Sequence, residues 1–245
     1  AGLSQPLPRY TYYQTVESLR RLDPQPTSSS TEKLTGPRHY HPSQVGFIDG
    51  IESPEHANIG LTKHLSIIGS ITIAQPDQAE IIYDIIKSNP LFMHINNISV
   101  LDLLMNIKIF INGEWIGITN DGNKFYKELR DLKNNNIISK KVGIVYDIQK
   151  SEIKIYTDSG RLYRPILNVE NNEVLLNDKI IDEIMNDKSD KNINKFNLLM
   201  SKYPKTISYI DSEEQYYALI AEKFEDVFKQ KIKEKEVYED STKPI

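Results

Sequence analysis

Apolar positions along the chain alternate between helical and extended spacing, and the changes of period mark out its elements. In TYYQTVESLRRL, Tyr12, Val16 and Leu19 recur at helical spacing, and Asp23-Pro24 stops the helix because proline disfavours helical geometry in the residue before it. Arg20 and Arg21 then fall in its last turn, where cations suit the dipole. The apolar run LTKHLSIIGSITI, residues 61–73, reads as helical at first and extended later. QAEIIYDIIKSN repeats isoleucines in pairs, Ile81 and Ile82 then Ile85 and Ile86, which predicts an amphipathic helix ending at Asn89-Pro90.

IKIFINGEWIGIT is two apolar strands joined by Asn112-Gly113, a strong hairpin signal because both central residues of a type I′ turn need positive φ. NKFYKELRDLK places Phe125, Leu129 and Leu132 on one helical face. A second strand pair is predicted from alternating Ile153 and Ile155, a turn at Asp158-Ser159-Gly160, and Leu162 beyond it. Apolar density falls between Asn171 and Pro204. YIDSEEQYYALIAEKFEDVFKQKIKEKE then predicts a C-terminal helix, with Ser212 and Gln215 at capping-box spacing, a modest apolar face from Ala218, Ala221 and Phe224 or Phe228, and a charged end that frays or docks elsewhere. The sum is an α+β protein of mixed helices and antiparallel hairpins.

Composition narrows the function classes. Apolar residues make up 39% and charged residues 26% of the chain, enough for a core and too little bias for wholesale disorder. A formal net charge of -4 gives no global basic field, so contact with nucleic acid has to come from local patches. Absence of cysteine removes disulfides, thiolate zinc sites and a thiol nucleophile from this chain. No apolar run approaches the roughly 20 residues that span a bilayer, and AGLSQPLPRY lacks the order of a signal peptide, which predicts a non-secreted protein without membrane partners. Between Asp23 and Pro37, DPQPTSSSTEKLTGP reads as an exposed loop, too poor in apolar residues to offset its ordering.

Glycine-rich phosphate loops, Gly-x-Ser-x-Gly elbows and His-Glu-x-x-His helices are all missing. The densest polar stretch is RHYHPSQVGFIDGIESPEHANIGL, whose prolines and glycines could converge its side chains. His39 and His41 with nearby carboxylates have the chemistry of a zinc or iron site, or are surface histidines in turns. Glu52 and Glu55 could act as an acid and base pair, or simply cap the Ser-Pro turn. Arg9, Arg20, Arg21, Arg38 and Lys63 supply local positive charge beside Tyr10 and Tyr12, a combination that can hold phosphates and stack on bases. The same residues also suit a solvated helix end.

Taken in order, these segments resemble the second-largest subunit of multisubunit DNA-directed RNA polymerases, of the eukaryotic and large-DNA-virus type. SQPLPRYTYYQTVESLRRL is similar to the family's Ser-Gln to Arg-Arg stretch, and HPSQVGFIDGIESPEHANIGL to its signature turn, with His41, Pro42, Gly46, Glu52, Pro54, Glu55, Asn58, Gly60 and Leu61 at matching places. FINGEWIGI, the GRLYRP run and YIDSEEQYYALIA resemble the regions that follow. Two places depart from the pattern. Asp49-Gly50 stands for the usual Cys-Pro, and His56 for a glycine.

The resemblance implies a fork region over 1–73 with its loop near 23–36, a first external domain over 74–163, and a second over 164–245 carrying the C-terminal helix. It implies that Gln5, Arg9, Arg20, Arg21 and Arg38 face RNA and template, while His41, Pro42, Glu52, Pro54 and Glu55 shape the fork. It implies an internal piece of the subunit with no catalytic or metal-binding residue and no cofactor of its own. Magnesium would be held by the largest subunit, and the partners would be that subunit, the other polymerase subunits, DNA template and nascent RNA. The setting would be intracellular, in host cytoplasm, nucleus or virion. The alternative is a detached, non-catalytic module that binds other polymerase subunits through its C-terminal helix.

Overall fold

A computed structural model describes residues 4, 6–22, 35–55, 58–74, 76–187 and 194–227. The predicted loop at 23–36 lies outside these except for Thr35 and Gly36, and so do Gln5, His56 and Phe228. The chain divides into two compact units, one of residues 1–71 with 162–164, the other of 72–161 with 165–245.

The first unit is built from short pieces. Helix α1, Tyr12–Leu19, starts where the Thr11 side chain accepts from the backbone of Gln14. It ends at Arg20, whose N–H returns to Glu17 and Val16, so Arg20 is the cap rather than part of the last turn. Its predicted apolar face is covered only at its middle within the described unit: Val16 is half-buried, while Tyr12 is 78% and Leu19 72% exposed. Strand β1, Arg21–Leu22, pairs antiparallel with β2, Lys63–His64. The expected helix early in 61–73 is absent. That segment is extended through β2 and β3, Ser70–Ile71, with a turn between them where Ser66 Oγ accepts from the Gly69 backbone. Serine and glycine here satisfy a turn that a helix would have excluded. Strand β3 pairs antiparallel with Leu162 and Tyr163.

The second unit holds the apolar core. Helix α2, Pro76–Ser88, buries Ile82 and Ile86 completely and turns Ile81 outward. Then come β4, Phe92–His94, and α3, Val100–Met105, capped by Ser99. The predicted hairpin is β5, Ile107–Ile111, with β6, Glu114–Thr119, joined by Asn112 at φ 49° and Gly113 at φ 88°. Helix α4, Gly122–Asn134, is capped by Asp121 and buries Phe125 and Leu129. Strands β7, Gly143–Asp147, and β8, Glu152–Tyr156, form the second hairpin.

That hairpin corrects the expectation that Leu162 continues the pair across Asp158-Ser159-Gly160. The partner of β8 lies before it, and strand β9, Leu162–Leu167, begins after the 158–160 turn without joining this sheet. Five strands are ordered β4-β6-β5-β8-β7, all neighbours antiparallel except the parallel pair β5 and β8. β6 and β7 therefore run the same way, and α4 is the crossover that joins them. Ile109, Ile153 and Ile155 from the sheet pack with Phe125, Leu129 and Ile82 from the helices.

The rest of this unit follows the same chain order. Strands β10, Val169–Glu170, and β11, Glu173–Val174, make a small hairpin turned by Asn171 and Asn172, both at positive φ. Helices α5, Asp178–Asn186, and α6, Lys195–Lys202, are each capped by the asparagine before them, Asn177 and Asn194. Strand β12, Ile207–Asp211, leads into α7, Ser212–Tyr217. The predicted C-terminal helix is interrupted: α7 is six residues and ends at extended Ala218, and helix resumes over 224–227, the last of the described residues. The capping box of α7 is Asp211 with Glu214 rather than Ser212 with Gln215. Glu214 also accepts from Lys133 Nζ and from the Ile144 backbone, each at 2.8 Å. Burial raises the Glu214 carboxyl above its usual range while Lys133 opposes that rise. Among the described residues no helix is long and apolar enough to cross a membrane.

Candidate functional site

Most of the residues singled out from the sequence lie in the first unit, in the turn-rich stretch between Arg38 and Ser66. Its shape is set by side chains bonding to backbone. His41 Nδ1 accepts from the Ser43 backbone at 3.2 Å and caps a 3-10 turn, Pro42–Gln44, with Pro42 in its first position. The Tyr40 hydroxyl donates to Ile48 O at 3.0 Å, and burial followed by the Asp49 charge pushes its pKa up. Asp49 Oδ1 accepts from the backbones of Ile51 and Glu52 at 2.8 and 3.3 Å, and Ser53 Oγ accepts from Gly60 at 2.8 Å. Asp49, where the resembled pattern has a cysteine, therefore makes the turn that carries Glu52.

Two glycines admit close neighbours that a side chain would exclude. Gly60 sits at φ +73°, and a β-carbon there would lie 2.6 Å from the Arg38 carbonyl oxygen. Gly46 sits at φ +82°, and a β-carbon would meet the Arg164 side chain at 2.6 Å. Arg164 lies over the buried Phe47 ring, 5.7 Å from its centroid. The turn is then laced to the strand below it: Asp49 N donates to His64 O at 2.8 Å and Ser66 N to Phe47 O at 3.0 Å.

The arginines separate by environment. Arg9 and Arg21 are exposed. One terminal nitrogen of Arg20 donates to both Ser66 O and Gly69 O, at 2.5 and 2.8 Å, while its own carbonyl accepts from Leu65 N. Arg20 thus binds α1 to the segment after β2. Arg38 is half-buried and donates to Ile59 O at 2.7 Å, holding the far end of the signature turn. Pro54 is half-buried, and Glu55 is exposed like His41 and Pro42.

Glu52 points to a corner where it meets Glu17 of α1 and His64 of β2. The ligand-type atoms of these three lie within 4.8 Å of one another, the one such group of three or more among the described residues. Burial first, with Glu17 adding to it and His64 opposing, raises the Glu52 pKa. His39 and His41, whose chemistry alone would admit a metal, are not part of this group. Glu17 and His64 carry no local sequence signal as site residues, since their partners are far off along the chain.

The first unit is a polar-laced turn module, and the second an α/β module closed by its own core. Comparison with known proteins gives the pair a context. Residues 5–71 match the family model RNA polymerase Rpb2, domain 3, and residues 109–170 match RNA polymerase Rpb2, domain 4. The mimivirus protein named DNA-directed RNA polymerase subunit 2 is 32% identical over 90% of this chain. Arabidopsis thaliana DNA-directed RNA polymerase II subunit 2 is 32% identical over 97% of it, and the Schizosaccharomyces pombe subunit RPB2 is 31% identical over 92%. The chain belongs to the family of second subunits of DNA-directed RNA polymerases, as its signature turn implied. It spans 18% of the length of the mimivirus relative and 19% of the other two.

Proposed function

We propose that this chain is a portion of the second-largest subunit of a DNA-directed RNA polymerase, serving DNA-templated RNA synthesis by positioning nucleic acid beside an active centre held elsewhere in the enzyme. What carries the reading is collinear likeness over 90–97% of the chain to proteins named as second subunits, with Rpb2 domains 3 and 4 in order along it. On this reading the partners are the largest subunit, the other polymerase subunits, template DNA and nascent RNA, in an intracellular setting. The catalytic magnesium belongs to the largest subunit, where it neutralises charge on the reacting phosphates. The Glu17, Glu52 and His64 group does not suit that ion, because magnesium takes oxygen ligands and this group includes an imidazole.

Within the chain, the exposed guanidiniums of Arg9 and Arg21 are the groups for phosphate, since arginine stays charged and binds phosphate through two nitrogens. Arg20 and Arg38 act at one remove, bonding the backbone at Ser66 and Gly69 and at Ile59. The test is the assembled polymerase carrying Arg9→Ala or Arg21→Ala, assayed for elongation-complex stability against salt. Each lost phosphate contact lowers the slope of log affinity on log salt by about 0.7–0.9. An unchanged slope would remove these arginines from the interface. Failure of the wild-type subunit to copurify with the largest subunit would overturn the reading itself.

A further inference from the structure

The corner formed by α1, the signature turn and β2 holds an arrangement that the nucleic-acid role does not use. His64 Nδ1 is 3.5 Å from Glu17 Oε1 and 3.9 Å from Glu52 Oε2. The His64 side chain is only 7% exposed, and its Nδ1 is buried without a hydrogen-bond partner. Buried polar atoms are as a rule hydrogen-bonded, and a bound ion is one thing that satisfies an exception. The two carboxylates are 40% and 47% exposed, which opens the corner to solvent on their side.

The distances fit a shared ion. Zinc bonded at roughly 2.0–2.2 Å in tetrahedral geometry keeps its ligand atoms about 3.3–3.6 Å apart. The spacing of His64 from Glu17 falls in that range, that of His64 from Glu52 is a few tenths beyond it, and the three ligand atoms all lie within 4.8 Å of one another. One imidazole with two carboxylates is a donor set for ions of the zinc class, and the open side leaves room for a fourth ligand. We propose that Glu17, Glu52 and His64 form a binding site for one divalent transition-metal ion of the zinc class. The ion gives the unpartnered nitrogen a bond and bridges the two carboxylates. It pins α1, whose apolar face is covered only at its middle, to the turn that carries the family signature.

The experiment uses the full 245-residue chain and Zn²⁺ alone, with uptake measured by calorimetry and elemental analysis after dialysis. One equivalent is expected, with affinity falling at least about tenfold in His64→Asn and in Glu52→Gln, as ligand loss costs no less than loss of a supporting group. His39→Asn should bind as the parent does. Circular dichroism shows whether each variant folds. A reading that needs no variant comes from long-range ¹H–¹⁵N spectra of the wild-type chain, where zinc should shift His64 Nδ1. Absence of stoichiometric uptake, or uptake that leaves His64 Nδ1 unmoved, overturns the site and leaves an imidazole simply shared between two carboxylates. Loss of binding in His39→Asn but not His64→Asn would place the ion elsewhere and overturn it equally.

Discussion

The second unit is held from inside and the first from its backbone outward. In the second, Ile82, Ile109, Ile118, Phe125 and Ile153 are fully buried, and the burial of such side chains is worth roughly 1.5–3 kcal/mol each. Among its buried charges Lys133 pairs with Glu214 and Arg161 with Asp211, each at 2.8 Å, while Lys140 donates to the Pro204 and Ile207 carbonyls. In the first unit, Phe47 is the buried apolar side chain among the described residues, beside Thr62 and His64. Tyr10, Tyr13, Ile51 and Ile67 are all more than 80% exposed. Arg20, Arg38, Asp49, Ser53 and Ser66 instead bond to backbone atoms. A core tolerates changes at its surface. A laced turn depends on particular polar atoms and on the conformation of a few backbone positions.

The sharpest way to press this contrast is to empty the core. Phe125 lies on α4 with no exposed surface and packs with the isoleucines of β5 and β8. Phe125→Ala removes the ring and leaves a cavity, and should cost about 3–5 kcal/mol. Trp115 is the chain's one tryptophan and sits in β6 of the same unit, so urea unfolding followed by its fluorescence reads the loss directly. A cost below about 1 kcal/mol would mean that the apolar core is not what holds this unit.

The matching change in the first unit alters no apolar contact. Gly60→Ala adds a single methyl at φ +73°, against the Arg38 carbonyl oxygen 2.6 Å away. Left-handed geometry costs a side chain about 1–2 kcal/mol before the clash is counted, so about 2 kcal/mol is expected. Hydrogen exchange of the peptide covering 58–65 should then lose roughly thirtyfold in protection, at 1.4 kcal/mol for each factor of ten. Unchanged protection would show that the turn is not fixed by this close approach.

The contrast also explains what could be read in advance. Elements of the core unit announced themselves locally: the Phe125 and Leu129 face of α4, the isoleucine pairs of α2 and the Asn112-Gly113 hairpin all follow from spacing within a dozen residues. Where the sequence was poor in apolar residues, Asn177 and Asn194 were still readable as helix caps, a signal the density argument passed over. Harder to see was anything decided at a distance. The parallel pairing of β5 with β8 depends on a crossover, and the start of α7 is fixed by Glu214 accepting from Lys133 and Ile144, far off along the chain. Residues 61–73 are apolar enough for either period, and their pairing with Arg21, Leu22 and Leu162 decides for strand. The signature turn was legible as a motif, while the meeting of Glu52 with Glu17 and His64 was not, because no spacing rule links three separate elements.

The smallest expected effect tests the comparison from its other side. Leu19 and Ile82 both stand at the helical spacing that predicts a buried face, yet Leu19 is 72% exposed and Ile82 not at all. Ile82→Ala should therefore cost about 2–5 kcal/mol, whereas Leu19→Ala should stay within about 0.5 kcal/mol of the parent chain. The period is the same in the two helices, and what differs is whether anything lies against it. Denaturation of both variants as isolated chains measures the difference. A loss above 1 kcal/mol from Leu19→Ala would mean that α1 packs its apolar face within this chain after all, and that the first unit is not held by its polar lacing alone.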